Sequence, residues 1–326
     1  MFYKSQKGIT VNLSLIFIYP LYCVSVMIGL SSCRIFNLWL ILEVNTLLLI
    51  GIIYLSPGRK KTSALVKYFT VQSLSSIVFI YASASMLIIS NYSMVVCLRA
   101  LILKLGIVPF HSWYLSLLQD LTWISILILS TVQKLLPLFF LRRLISSYEI
   151  FIVSLLSRFR GVWALGSSSL KRLVGYSSLL NMGWMLLATL ANSVFFQFFF
   201  NYFLTMLGLV NYLMYFIREK INDLKKLHSF SDVVSFTLLI LRLRAFPPIL
   251  GFWVKLYILK MVVGFSVFLG IWLLVNTVFI IYSYIRLVDF IFIGLKDHSM
   301  ACKKINVRNG GVLVLYLRGL GFIFLI

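Results

Sequence analysis

Leu101-Ile102-Leu103-Lys104-Leu105-Gly106-Ile107-Val108-Pro109-Phe110-His111-Ser112-Trp113 lie in the middle of an apolar run from 93 to 118. Such a run is long enough to cross the hydrocarbon of a bilayer as a helix. It cannot do so unbroken, because Pro109 removes a backbone donor and Gly106 loosens the chain just ahead of it. The stretch therefore predicts a discontinuous membrane helix. Backbone opened at that depth is tolerated only where protein or a wetted cavity satisfies it. Lys104, five residues before Pro109, is a cation at the break.

The rest of the chain supplies the membrane. Apolar residues make up 61% of the 326 and charged residues 12%, against about 45 to 50% and about 25% in soluble proteins. The mean hydropathy is +1.02. Polar breaks divide the chain into candidate spans at 9–32, 35–55, 64–89, 93–118, 122–141, 149–166, 171–191, 193–217, 231–263, 266–293 and 311–326. These runs stay apolar for about 20 residues instead of alternating over about 10, so they read as helices and not as barrel strands. The expected fold is an all-α polytopic membrane protein of about eleven transmembrane helices. The first apolar run has Pro20 inside it and lacks an A-x-A site, so it reads as a retained span and not as a signal peptide.

A second break falls in 231–263, whose 33 residues would reach roughly 50 Å as one straight helix. Phe246-Pro247-Pro248 interrupts it. Taken as one discontinuous span, it places fifteen loop cations on the N-terminal side of the membrane and three on the other. Counting it as two spans gives eleven against seven. The positive-inside bias favours one broken span, with the N-terminus on the cation-rich side. The fourth and ninth spans are then both discontinuous, and an odd offset reverses orientation. That pattern predicts two inverted repeats, 9–141 and 149–293, followed by a C-terminal helix 311–326, within one transmembrane domain covering 1–326. Broken helices at matching ranks of inverted repeats point to an ion pathway, although Gly and Pro are also common in ordinary membrane helices.

The net charge of +22 comes from 30 Lys and Arg against 8 Asp and Glu. Because these cations lie between hydrophobic segments, membrane orientation explains them better than nucleic acid does. Four ionisable groups stand out. Glu43 is ninth in its 21-residue span, Lys134 is thirteenth in a 20-residue span, and Lys104 and Lys255 flank the two breaks. A charge at mid-membrane costs at least about 2.5 to 3.5 kcal/mol, so such residues suggest function. Burial disfavours the charged form of a lysine or a carboxyl, and neighbouring groups of the two kinds alter each other's proton affinity. Arginine stays protonated and cannot serve in this way. Glu43, Lys104, Lys134 and Lys255 thus form a candidate proton relay, with His111 as a further member near neutrality. The plainer readings are a structural ion pair and a hydrogen-bonded structural histidine. Lys67, Lys260 and Arg318 lie near span ends, where snorkelling accounts for them. Arg286 and Asp289, three apart on one helix, read as a pair. His228 and His298 read as solvated. Tyr176, Ser177, Ser178 and Asn181 read as polar packing contacts between helices.

Cys23, Cys33, Cys97 and Cys302 show no metal-binding spacing. The chain also lacks a GxGxxG fingerprint, a phosphate loop, a haem-type histidine pair and an iron–sulfur pattern, so no cofactor or metal is expected on it.

Seven motifs occur in order. They are Leu42-Glu43-Val44-Asn45; Lys67-Tyr68-Phe69 with Gln72; the stretch from Leu103 to Trp113; Val132-Gln133-Lys134-Leu135-Leu136-Pro137; Gly175-Tyr176-Ser177-Ser178 followed by Asn181-Met182-Gly183-Trp184-Met185; Pro247-Pro248-Ile249-Leu250-Gly251-Phe252 with Lys255; and Tyr284-Ile285-Arg286-Leu287. Together they resemble the mitochondrial NADH dehydrogenase subunit 2 family, antiporter-like proton-pumping subunits of the complex I membrane arm. The Met-Gly-Trp-Met block points to this subunit and not to its two larger relatives. The resemblance implies a multi-pass protein of the mitochondrial inner membrane whose cation-rich side is the matrix. It implies partnership with other complex I membrane-arm subunits and with the lipid bilayer, and it places NADH, FMN, iron–sulfur clusters and ubiquinone in partner subunits. By motif, Glu43 and Lys104 match the charged pair that responds to neighbouring subunits, Lys134 the central relay lysine and Lys255 the lysine of the second broken helix. Arg242 and Arg244 depart from the pattern, standing where the family commonly has small residues before the double proline. Arg158 and Arg160 similarly interrupt an apolar stretch. Two other functions remain open at this point, a stand-alone cation/proton antiporter and a structural assembly subunit.

Overall fold

A computed structural model describes residues 13–32, 34–57, 61–85, 90–144, 169–190, 192–216, 230–244 and 250–265, and parts of 267–282. Every element among them is a helix: α1 (Leu13–Ser31), α2 (Ile35–Leu55), α3 (Lys61–Ser85), α4 (Ser90–Leu105), α5 (Ser112–Asp120), α6 (Trp123–Ser130), α7 (Val132–Leu144), α8 (Leu170–Ala188), α9 (Asn192–Phe216), α10 (Phe230–Arg244) and α11 (Leu250–Phe265). Five stretches, one in each of α1, α2, α3 and α9 and a fifth running through α6 and α7, are long and apolar enough to cross a membrane. The chain is a multi-pass helical membrane protein. The expected spans 149–166 and 311–326, much of 266–293, and the Pro247-Pro248 break lie outside the described residues, as do Arg158, Arg160, His228, His298, Arg286 and Asp289.

The chain forms two compact units, one of residues 1–105 and 120–144, the other of 106–119 and 145–326. In the first, α1 packs on α2, α2 on α3, α3 on α4, and α7 on α1, α4 and α6. Exposed apolar residues on the outer faces of α1 to α3, such as Phe17, Met27, Leu47, Val66 and Ile77, suit lipid contact. Small residues let the helices approach. A Cβ on Gly29 would lie 2.6 Å from Leu136 Cδ2.

In the second unit, α8 packs on α9 and α11, and α10 packs on α9 and α11. All of α8 except Arg172 and Tyr176 is buried, as expected of a helix apolar nearly all round. Gly175 admits α5 at close range, since a Cβ there would meet Leu118 Cδ1 at 2.5 Å. Tyr114 of α5 and Ser178 of α8 share a hydrogen bond of 2.8 Å, so one of the serines expected to make a packing contact does so.

The fourth span breaks where its sequence requires. α4 ends at Leu105, Gly106 takes φ +65°, Val108–Pro109 is cis, and α5 starts at Ser112. A side chain at Gly106 would be strained, and a Cβ there would also meet Tyr114 Cβ at 2.9 Å. Gly106→Ala is therefore expected to destabilise the fold by about 1 to 2 kcal/mol, read as a lower thermal midpoint of the assembled protein.

The fifth span, expected as one continuous helix over 122–141, is also interrupted. α6 stops at Ser130, and Thr131, at φ −116° and ψ −83°, separates it from α7. The Thr131 hydroxyl bonds the Leu127 carbonyl at 2.6 Å, and the Lys134 N–H turns to the Thr131 carbonyl at 3.0 Å. Pro137, inside α7, leaves the Gln133 carbonyl without its i+4 donor. The break thus falls immediately before Gln133 and Lys134.

Candidate functional site

The first unit brings Glu43 and Lys104 together. Lys104 occupies the last turn of α4, where its cation faces the negative end of the helix dipole. Its Nζ lies 3.4 Å from Glu43 Oε1 on α2. The Lys104 side chain is 2% exposed and that of Glu43 27%, so one partner is enclosed and the other reaches the surface of the chain. Because α4 ends at once, the Lys104 carbonyl has no helical donor. Gln72 Nε2 of α3 donates to it at 3.3 Å.

Lys134 belongs to the same unit and is 3% exposed. Its neighbour Gln133 is held from two sides. Tyr22 of α1 donates its hydroxyl to Gln133 Oε1 at 2.5 Å, and Gln133 Nε2 donates to the Tyr68 hydroxyl oxygen at 2.9 Å. Ser25 also hydrogen-bonds Asn45, between α1 and α2. Buried and half-buried polar contacts therefore link α1, α2, α3, α4 and α7. Tyr22 and Ser25 were not apparent from the sequence, and Tyr68, Gln72 and Gln133 stood out only as parts of motifs. The available signals were the four-residue spacing of Tyr68 and Gln72 on one helical face and Pro137 four residues after Gln133.

Lys67, expected to snorkel, has a partner. Its Nζ lies 2.7 Å from Asp120 Oδ2, which also accepts from Ser63 at 2.9 Å. The Lys67 side chain remains 43% exposed, so the contact is a surface ion pair.

His111 and Lys255 fall in the second unit. His111 is buried, and its Nδ1 lies 3.1 Å from the Pro109 carbonyl. A carbonyl only accepts, so this contact requires a proton on Nδ1. The His111 carbonyl takes the Leu115 N–H at 3.3 Å, which starts α5. Lys255, half-buried on α11, places its Nζ 5.7 Å from the centroid of the Trp184 ring, within cation–π range. That tryptophan belongs to the Met-Gly-Trp-Met block. Arg242 is half-buried on α10 and interacts there.

Among the described residues no cluster of His, Cys, Asp and Glu could hold a metal ion. Cys23 is exposed and Cys97 buried, both as free thiols.

Residues 88–281 match the family described as NADH:quinone oxidoreductase/Mrp antiporter, TM. The NADH-ubiquinone oxidoreductase chain 2 of Lumbricus terrestris is 30% identical over 276 residues, covering 81% of this chain and 82% of its own. The protein of the same name from Anopheles gambiae is 28% identical and covers 87% of each. Among solved structures, respiratory complex I from Thermus thermophilus with bound aureothin contains a chain that superposes at TM-score 0.71 with 22% identity, covering 83% of this chain and 70% of that one. A chain of the archaeal membrane-bound sulfane sulfur reductase superposes at 0.75 with 16% identity, covering 99% and 74%. With the family match spanning 88–281 and 30% identity to a relative covered over 82% of its length, the chain belongs to the NADH:quinone oxidoreductase/Mrp antiporter family and, within it, to the NADH-ubiquinone oxidoreductase chain 2 proteins.

Proposed function

We propose that this chain is a core membrane-arm subunit of respiratory complex I, translocating protons across the inner mitochondrial membrane as partner subunits pass electrons from NADH to ubiquinone. One observation carries the reading: a lysine and a glutamate paired at 3.4 Å at the mouth of a broken helix. Moving or neutralising Glu43 changes the proton affinity of Lys104. A second lysine, Lys134, is buried at another break in the same unit. These are the groups a relay needs, since each can exist charged or neutral, whereas arginine cannot.

Glu43, Lys104, Lys134 and Lys255 are the relay residues, with His111 as a further member. NADH, FMN, iron–sulfur clusters and ubiquinone belong to partner subunits, and this chain does no redox chemistry. Its partners are the other membrane-arm subunits and the lipid bilayer. The fold is read as eleven spans in two inverted repeats, 9–141 and 149–293, with helix 311–326 beyond them and the N-terminus on the matrix side.

Migration on native gels tests the partnership. The chain is expected to run with NADH:quinone reductase activity. If it migrates apart from that activity while still exchanging protons for cations in vesicles, it is a stand-alone antiporter.

A further inference from the structure

The backbone around Lys134 is poorly held by its own helix. α6 ends at Ser130, Thr131 leaves helical geometry, and Pro137 removes the donor for the Gln133 carbonyl. Side chains supply the restraint that the ladder lacks. The Gln133 carboxamide is clamped between the Tyr22 and Tyr68 hydroxyls, tying the first turn of α7 to α1 and α3. Tyr22 is 3% exposed and Tyr68 is fully enclosed, so the two hydroxyls that clamp the half-buried Gln133 are themselves held inside the unit, where a lost hydrogen bond is costly. One turn along α3 from Tyr68, Gln72 holds the carbonyl of Lys104. A single face of α3 therefore grips the chain at Lys104 and beside Lys134.

We propose that Gln133 and Tyr68 are positioning residues for Lys134: the tyrosine–glutamine–tyrosine bridge sets the register of the first turn of α7, and α3 ties that register to the Glu43–Lys104 pair. The bridge is a strut and not a proton wire. A carboxamide donates from nitrogen and accepts at oxygen, so passing a proton through it would require tautomerisation. The inference rests on the proton-translocating reading above.

The test uses the intact complex in sealed inner-membrane vesicles. Tyr68→Phe removes one hydroxyl and leaves the ring. Assembly on native gels is expected to persist, while proton translocation per assembled complex falls roughly tenfold or more, the scale of a small misplacement of a reacting group. The KM for NADH is expected to stay fixed and the pH profile of translocation to move. A merely structural role would lower the yield of complex but leave the pH profile and the rate per complex unchanged, and that result overturns the proposal. If Tyr68→Phe does not assemble, Tyr22→Phe releases the other end of the clamp. A smaller loss with a displaced pH profile supports the proposal, and an unchanged profile overturns it. Lys134→Ala, measured alongside, separates the two readings. Pumping retained in Lys134→Ala overturns the relay itself, whereas pumping lost there but untouched in Tyr68→Phe overturns only the positioning role.

Discussion

Lys134→Ala is expected to abolish proton translocation coupled to quinone reduction while leaving a complex that assembles. The side chain is 3% exposed and stands just after the interruption between α6 and α7. A cation at that depth costs at least about 2.5 to 3.5 kcal/mol, and Lys134→Ala relieves the fold of that charge. Structural necessity and proton exchange therefore predict opposite outcomes for assembly. Lys134→Arg sharpens the distinction. Arginine keeps the charge but cannot release its proton, so translocation should fail there as well, whereas a purely electrostatic role would be rescued. The measurement is protons moved per NADH oxidised in sealed vesicles, normalised to assembled complex. Unchanged stoichiometry in Lys134→Ala would remove this residue from the relay.

How much of this was legible in the sequence depends on what each feature rests on. The break at Gly106 and Pro109 could be read directly, because one residue lacks a donor and the other tolerates φ +65°. The lysine at that break could be read too, since a lone cation in an apolar run stands out. The second interruption, at Thr131, was not legible. Threonine is unremarkable in a membrane helix, and Pro137, the residue that weakens the ladder, lies within α7, six residues further on. Nor could the sequence pair Glu43 with Lys104 by distance, because the contact joins α2 and α4 across 61 positions. The Tyr22–Gln133 hydrogen bond spans 111. Neutral polar residues of this kind give no signal against an apolar background comparable to that of a charge. Lys67 illustrates the converse. Its place near a span end was clear, but the carboxylate it meets, Asp120, follows a helix break whose turn sequence alone does not orient.

Breaking the Glu43–Lys104 pair should have the second large effect, and an asymmetric one. Glu43→Gln leaves the Lys104 ammonium enclosed without its carboxylate. Removing one partner of a buried pair costs about 3 to 5 kcal/mol, and the lower end applies here because 27% of the Glu43 side chain is exposed. The helix dipole at the end of α4 offsets part of the loss. Translocation is expected to stop and the thermal midpoint of the complex to fall. Lys104→Met instead leaves a carboxylate that still reaches the surface, so the stability loss should be smaller although translocation again stops. The double substitution removes both charges from the apolar interior. It should recover most of the stability lost in Glu43→Gln but none of the pumping, because an uncharged pair packs adequately yet has no proton to exchange. Thermal melts and proton stoichiometry on all three variants close the cycle. Recovery of pumping in the double variant would mean that the pair only holds α2 against α4, whereas stability that adds without recovery would mean that the two side chains do not interact at all.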